Sequence, residues 1–71
     1  MESDILKQFG KRIKDLRLIN KWSQQDLADV SGFHKNYIGM VERGERNISL
    51  KNIEVFAKSF KITIEELLKK I

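Results

Sequence analysis

A chain of 71 residues has room for one small domain, and we expect residues 1–71 to form it. It contains no cysteine and a single histidine, which excludes disulfides and argues against a resident metal or other cofactor. The formal net charge of +4, from 14 basic and 10 acidic residues, favours a polyanionic partner. No apolar run is long enough for a signal peptide or a membrane span. We therefore expect a cytoplasmic protein that makes no contact with a membrane.

The first predicted helix covers Asp4–Ile19, because apolar residues recur along one face at steps of four, four and three. These residues are Ile5, Phe9, Ile13 and Leu16. Asn20 tolerates the left-handed conformation in which many helices end, so it is predicted to end this one.

Two short helices separated by a sharp turn are predicted next. Ser23 caps the first of them, over residues 24–30, and Asp26 stands at the capping-box position. Gly32 suits the turn because glycine adopts a positive φ at no steric cost. The third helix is predicted to start at residue 34 or 35 and to end before Gly44.

Two further capped helices complete the chain. Ser49 precedes the fourth helix, predicted over residues 50–60. Its apolar face consists of Leu50, Ile53, Ala57 and Phe60. Thr63 and Glu66 form the capping box of the fifth helix. Because alternation typical of strands is poor throughout, the predicted fold class is all-α, a compact bundle of five short helices.

The helix pair over residues 24–43 has an inner and an outer face. The side chains predicted to face inward are Leu27, Val30, Ile38 and Val41. Ala28 is small enough for the two helices to cross closely, and Phe33 fills the space behind the turn. The residues left facing outward at the start of the third helix are His34, Lys35, Asn36 and Tyr37. This pattern is typical of a helix-turn-helix, whose second helix enters the major groove of DNA.

The run from Trp22 to Asn47 resembles the Xre family, the DNA-binding fold of phage Cro and repressor proteins. The positions that carry the motif are Ala28, Gly32, Ile38 and Val41, and the likeness continues through Glu42-Arg43-Gly44 and Arg46-Asn47. This stretch is also similar to the controller proteins of restriction–modification systems. The resemblance implies a transcriptional regulator that binds double-stranded DNA as a homodimer on a palindromic operator. An activator of this kind would also contact RNA polymerase.

Base-reading residues are expected at the start of the third helix. Lysine donates to guanine O6 and N7 and asparagine pairs with adenine, so Lys35 and Asn36 are the leading candidates. His34 either caps the helix or faces the groove. Tyr37 contacts a thymine methyl group or a phosphate, or packs beside Trp22. The next outward position is Gly39, which offers no side-chain donor.

Phosphate contacts are expected at the start of the second helix, where backbone N–H groups favour an anion, and after the third helix. The predicted set is Ser23, Gln24, Arg43, Arg46, Asn47 and Arg17. The family resemblance also implies an ion pair between Arg17 and Glu42. Arg17 is therefore expected to be structural first, with its remaining donors free for a phosphate.

The last helix carries more apolar surface than a small bundle covers, which predicts a dimer interface. Its candidate residues are Phe60, Ile62, Ile64, Leu68 and Ile71. An antitoxin that also binds its own promoter and a phage regulator remain alternative functions. An enzyme is not expected, because the chain has no nucleophile–histidine–acid set, no paired-carboxylate site and no phosphate-binding glycine loop.

Overall fold

The protein is described by a computed structural model that covers residues 4–69 and 71. Its helices are α1 (Asp4–Ile19), α2 (Gln24–Ser31), α3 (Lys35–Glu42), α4 (Leu50–Ser59) and α5 (Ile64–Leu68). Over these residues the predicted all-α bundle of five short helices is confirmed. None of the helices in the described part of the chain is long and apolar enough to cross a membrane.

The predicted N-caps begin their helices because each hydroxyl accepts a hydrogen bond from the backbone N–H three residues on. The distances are 3.0 Å at Ser23, 3.1 Å at Ser49 and 3.0 Å at Thr63. At Ser23 the capping box is complete. At Thr63 it is only half made, because the Glu66 carboxylate points instead to the Arg12 guanidinium, 3.4 Å away.

The turn residues agree with the sequence at one of the two predicted positions. Gly32 has φ of 83° and its N–H donates to the carbonyl oxygen of Ala28, which ends α2. The prediction for Asn20 is wrong, because the left-handed residue after α1 is Lys21, with φ of 59°. The Asn20 side chain instead donates to the Leu16 carbonyl oxygen at 2.9 Å and so closes the last turn of the helix.

The core lies where all five helices meet. Its largest fully buried side chains are Phe56, Ile13, Leu27, Ile38, Leu67 and Val41. The predicted inward position of Val30 is wrong, since its side chain is 52% exposed. Leu27 and Ala28 are the buried residues of α2, and at 100° per residue it is Ser31 that continues their stripe. The stripe residues Ile5 and Leu50 are also exposed, because each lies at the first turn of its helix.

Phe60 is part of this core, so its predicted place in a dimer interface is wrong. Its side chain is buried and stacks on Trp22, with ring centroids 5.7 Å apart. The stack closes the bundle between the end of α1 and the end of α4. Trp22 is therefore packed against Phe60, and the packing of Tyr37 beside it that the sequence left open is not found.

Candidate nucleic-acid interface

Helix α3 is anchored by its inner face and leaves its first turn exposed. Ile38 and Val41 are buried against α1 and α2, as predicted. His34, Lys35 and Asn36 are exposed. His34 is the N-cap, because its Nδ1 accepts a hydrogen bond from the Asn36 N–H at 3.1 Å. The first turn therefore presents two free polar side chains from a rigid helix start.

A buried ion pair fixes the far end of α3 to α1. The Arg17 Nε and Nη2 donate to the two carboxylate oxygens of Glu42 at 2.7 and 3.0 Å, and Nη1 donates to the Trp22 carbonyl oxygen at 2.9 Å. The side chains are only 10% and 5% exposed. The hydrogen bond to Glu42 raises the pKa of Arg17 above its ordinary value. The family ion pair is thus present, and it cancels the charge of Glu42 close to the outer face of α3.

Arg17 is turned into the bundle by this pairing, so the structure does not bring it to the outer face with the other predicted phosphate contacts. Gln24 is drawn in as well, since its Nε2 donates to the same Glu42 carboxylate at 3.1 Å. The backbone N–H groups at the start of α2 remain directed outward from the helix end. Ser23 is exposed beside them.

A shallow cleft of about 290 Å³ runs along the outer face of α3. It is lined by Gln24, Lys35, Asn36, Gly39, Met40 and Arg43, with Glu45 at its rim. Three predicted contacts from separate parts of the sequence, Gln24, Lys35 and Arg43, therefore border one continuous surface.

Gly39 is buried, although it lies on the outward face. A Cβ placed on it would lie 3.2 Å from Arg43 Nη1 and 3.8 Å from the Gln24 amide. The space that a side chain would take is therefore occupied by the tip of Arg43. Glu45 holds that guanidinium through contacts to Nε at 2.9 Å and Nη2 at 3.2 Å. The hydrogen bonds raise the pKa of Arg43 and lower that of Glu45, so both groups are charged at neutral pH.

Tyr37 is half-buried and connects α3 to α4. Its ring packs on Phe33, with centroids 4.8 Å apart, and its hydroxyl oxygen accepts a hydrogen bond from the Asn52 amide at 2.9 Å. The Arg46 guanidinium lies 5.4 Å from the ring centroid, in cation–π geometry. Because the oxygen is the acceptor in the bond to Asn52, the phenolic proton is available to a further partner. Arg46 and Asn47 are exposed in the loop that follows α3.

An apolar groove of about 350 Å³ lies on another part of the surface. Its apolar lining is Ile5, Leu6, Phe9, Ile48, Ile53, Leu68 and Ile71. Two of the predicted interface residues, Leu68 and Ile71, thus face the groove. Ile62 and Ile64 are partly buried against the core.

Comparison with known proteins places this geometry in a family. The helix-turn-helix family profile matches residues 13–67. The chain belongs to the Xre-type helix-turn-helix family. It is 40% identical over 65 residues to control protein C.SmaI of Serratia marcescens, covering 92% of this chain and 77% of that protein. The predicted class, a DNA-binding transcriptional regulator that is similar to restriction–modification controller proteins, is confirmed.

Solved structures of controller proteins have the same fold as this Xre-type chain. That of C.AhdI from Aeromonas hydrophila superposes with a TM-score of 0.82 at 45% identity, over 90% of this chain and 96% of that one. The tetramer of C.Esp1396I in complex with its natural 35 base-pair operator gives a TM-score of 0.86 at 33% identity, over 97% and 95% of the two chains.

Two residues that support the Xre-type fold were missed by the sequence reasoning. Arg12 is buried and donates to the Leu67 and Glu66 carbonyl oxygens at 2.9 and 2.8 Å, which caps the end of α5. A Cβ on Gly10 would collide with the carbonyl oxygens of Val41 and Glu42, so α1 crosses α3 by backbone contact. The available signal was their position, because both lie next to Phe9 and Ile13 on the buried stripe of α1.

Proposed function

We propose that the protein is the controller of a restriction–modification system, binding a palindromic operator as a homodimer. The observation that carries the proposal is the exposed polar start of α3, fixed by a buried ion pair in a chain whose relatives are control proteins. One helix from each subunit would enter the major groove. Two such helices would lie one DNA turn apart, about 34–36 Å.

Lys35 and Asn36 are the proposed base-reading residues. Both are exposed on the first turn of α3 and border the outer cleft, so each can reach a base edge without rearrangement of the bundle. Lysine donates to guanine O6 and N7, and asparagine forms two hydrogen bonds with adenine. His34 is assigned to the helix cap, with only its second ring nitrogen free for a partner.

Phosphate contacts are proposed on both sides of the reading helix. At the start of α2, Ser23 and the backbone N–H groups near Gln24 would bind one phosphate. Beyond α3, Arg46 and Asn47 are exposed, and the free phenolic proton of Tyr37 points to the same use. Arg17 is left out of this set because its guanidinium is committed to Glu42 and Trp22.

The second subunit is proposed to cover the apolar groove. Two of its lining residues are large exposed apolar side chains, Ile5 at 56% and Leu68 at 38% exposure, and they share this one groove. Of the residues predicted for the dimer interface, Leu68 and Ile71 line this groove near the end of α5. A domain of this size buries a modest core, so a partner subunit would add needed stability.

We propose that the chain acts as a single domain in the cytoplasm, without catalytic activity or a bound cofactor, and that RNA polymerase is its partner at the promoter. The helix-turn-helix family supports this setting, since its members regulate transcription rather than catalyse reactions.

Selection of bound sequences from a random duplex pool tests the proposal. We expect one palindromic motif to be enriched, and log Kd for it to change with log salt by a slope near 0.9 for each phosphate neutralised. Lys35→Ala and Asn36→Ala should each relax the preference at one or two base pairs, while Arg46→Ala should weaken all sequences alike. The matched control is Lys11→Ala, an exposed lysine of α1 paired with Asp15. No enriched motif, or a preference unchanged in both α3 variants, would refute the assignment.

A further inference from the structure

Arg43 differs from Lys35 and Arg46, the other exposed cations beside α3, because a carboxylate orients its guanidinium. Its Nε and Nη2 bind the Glu45 carboxylate through one edge of the guanidinium. Its Nη1 lies over Gly39, within the cleft that Lys35 and Asn36 also line. The 60% exposed side chain is thus oriented by the Glu45 carboxylate and lies in the space left where Gly39 has no side chain.

The edge that remains free on Arg43 has the geometry of a base-reading group. Guanidinium carries five N–H donors. Glu45 takes two of them on the side that contains Nε, which leaves the end formed by Nη1 and the second proton of Nη2. Two parallel N–H donors of this kind match O6 and N7 of guanine in the major groove.

The charge at this position favours a base over a phosphate. The Glu45 carboxylate cancels the charge of Arg43, so a phosphate would gain little attraction and would meet a second anion beside it. A guanine edge carries no net charge and needs only the two directed donors. Arg46 offers the contrast, because it lies over the Tyr37 ring and keeps its charge for the DNA backbone.

We infer that Arg43, positioned by Glu45 over Gly39, reads a guanine in each half of the operator. The sequence alone assigned Arg43 to the DNA backbone and left the turn around Gly39 without a reader. In the structure Arg43 reaches back one helical turn and supplies the donors that Gly39 lacks. Glu45 is a positioning residue, since it acts on the base through the guanidinium.

The inference rests on the proposed operator binding, and one experiment separates the two. The operator motif is first selected with the wild-type protein, and duplexes are then prepared in which each G·C pair is replaced in turn, together with its symmetry mate in the other half-site. We expect Arg43→Ala to bind the selected duplex about 10-fold to 100-fold more weakly for each half-site, the range of one bidentate base contact. On one replaced duplex its loss relative to the wild-type protein should shrink to the small, sequence-independent factor that the unpaired Glu45 charge causes. Arg46→Ala, the matched control, should weaken all duplexes by the same factor.

The possible outcomes are distinct. If the random pool yields no motif, operator binding fails and this inference falls with it. If a motif appears and Arg43→Ala loses the same factor on every duplex, Arg43 is a phosphate contact and only this inference is overturned. Arg43→Lys separates fork geometry from charge, because lysine keeps the charge but cannot present two fixed parallel donors. We expect it to show a weaker preference for guanine, since a lysine donates to guanine without the fixed fork, and to retain binding to replaced duplexes.

Glu45→Gln tests the positioning role, because it should change the preference for guanine and the affinity for unrelated DNA in opposite directions. Loss of the carboxylate should strengthen binding to unrelated DNA, because a negative charge near the backbone is gone. The preference for guanine should nevertheless fall, by up to about fivefold, the value of an exposed ion pair. Stronger binding to every duplex with the preference intact would show that Glu45 only repels DNA and would overturn its role here.

Discussion

Glu42 is an acidic side chain at the end of α3, the helix proposed to bind DNA, which is itself an anion. Its carboxylate accepts hydrogen bonds from Arg17 and from Gln24, and its side chain is nearly excluded from solvent. The pair therefore adds no net charge to the outer face of α3. It leaves two buried ions that depend on each other.

Removing either ion of this pair should destabilise the protein severely. We expect Arg17→Ala or Glu42→Ala to lower the free energy of unfolding by about 3–5 kcal/mol, because the remaining charge stays buried without a partner. Urea denaturation followed by circular dichroism measures the change. The double variant should lose less than the sum of the two single losses. The control is the exposed Lys11–Asp15 pair, where Lys11→Ala should change the value by less than about 1 kcal/mol.

The two helical glycines in α1 and α3 should respond oppositely to the same substitution. Gly10→Ala places a methyl group against backbone carbonyls that cannot yield, and we expect a loss of about 1–3 kcal/mol. Gly39→Ala meets only side-chain ends, and the 60% exposed Arg43 can shift by the few tenths of an ångström that a methyl group needs. The helix-forming preference of alanine should therefore stabilise α3 by up to about 1 kcal/mol. Thermal melts of both variants decide the point, and a shift of the same sign in both would contradict it.

At the scale of elements, α5 has only five residues and depends on its two ends. Helices this short are not stable alone, so their free backbone groups need partners. Thr63 supplies one at the start, and Arg12 supplies two at the end from a helix more than fifty residues earlier. Arg12 thereby sets the position of the helix that borders the apolar groove.

Arg12→Met should loosen α5 while keeping the aliphatic packing of the side chain. We expect a loss of about 1–3 kcal/mol, because the buried Leu67 carbonyl group loses its donor and the part-buried Glu66 carbonyl keeps only the Lys69 N–H. Hydrogen exchange of the α5 amides should rise more than that of α3. Equal increases in both helices would mean that Arg12 supports the whole bundle and has no special role at α5. Lys14→Met, an exposed change on the same helix, serves as the control.

How much the sequence could predict depends on whether a feature is local. Ser23, Ser49 and Thr63 were found because a cap is read from three or four neighbouring residues. The left-handed conformation of Lys21 after α1 and the exposure of Val30 were missed, since each depends on how α2 lies across the bundle.

The site divides in the same way. The exposed start of α3 follows from its own sequence, but the guanidinium over Gly39 and the burial of Phe60 under Trp22 depend on tertiary contacts. Side-chain contacts between residues distant in the chain have no signature in one sequence. The residue types therefore predicted which part of the chain forms the candidate site. Tertiary packing determined which of its side chains remain available to a partner.

At the scale of the whole molecule, the two functional faces lie on different parts of one small bundle. The outer cleft follows α3, and the apolar groove lies between the start of α1, the loop after α3, α4 and the end of the chain, with Asn47 in its lining. A second subunit on the groove would leave both reading helices uncovered. Dimerisation and DNA binding are therefore compatible.

Leu68→Asp should separate dimerisation from folding. The side chain is 38% exposed and lies in the groove, so the charge costs little in a free subunit but much in a covered interface. Sedimentation velocity should show a shift from dimer to monomer, and operator affinity should fall with it. Leu18→Asp is the matched control, because Leu18 is 54% exposed and does not line the groove. A dimer that persists in Leu68→Asp would place the interface elsewhere.

Helix α1 touches both faces, since Arg12 ties it to α5 while Gly10 and Arg17 tie it to α3. In a dimer joined through the groove, this one rigid helix would set the distance and the angle between the two α3 helices. One inserted base pair at the centre of the operator turns the half-sites by about 36° and moves them by about 3.4 Å. A rigid dimer cannot adjust the positions of its α3 helices to that change. We therefore expect binding to depend on the spacing between the half-sites as strictly as on their base sequence.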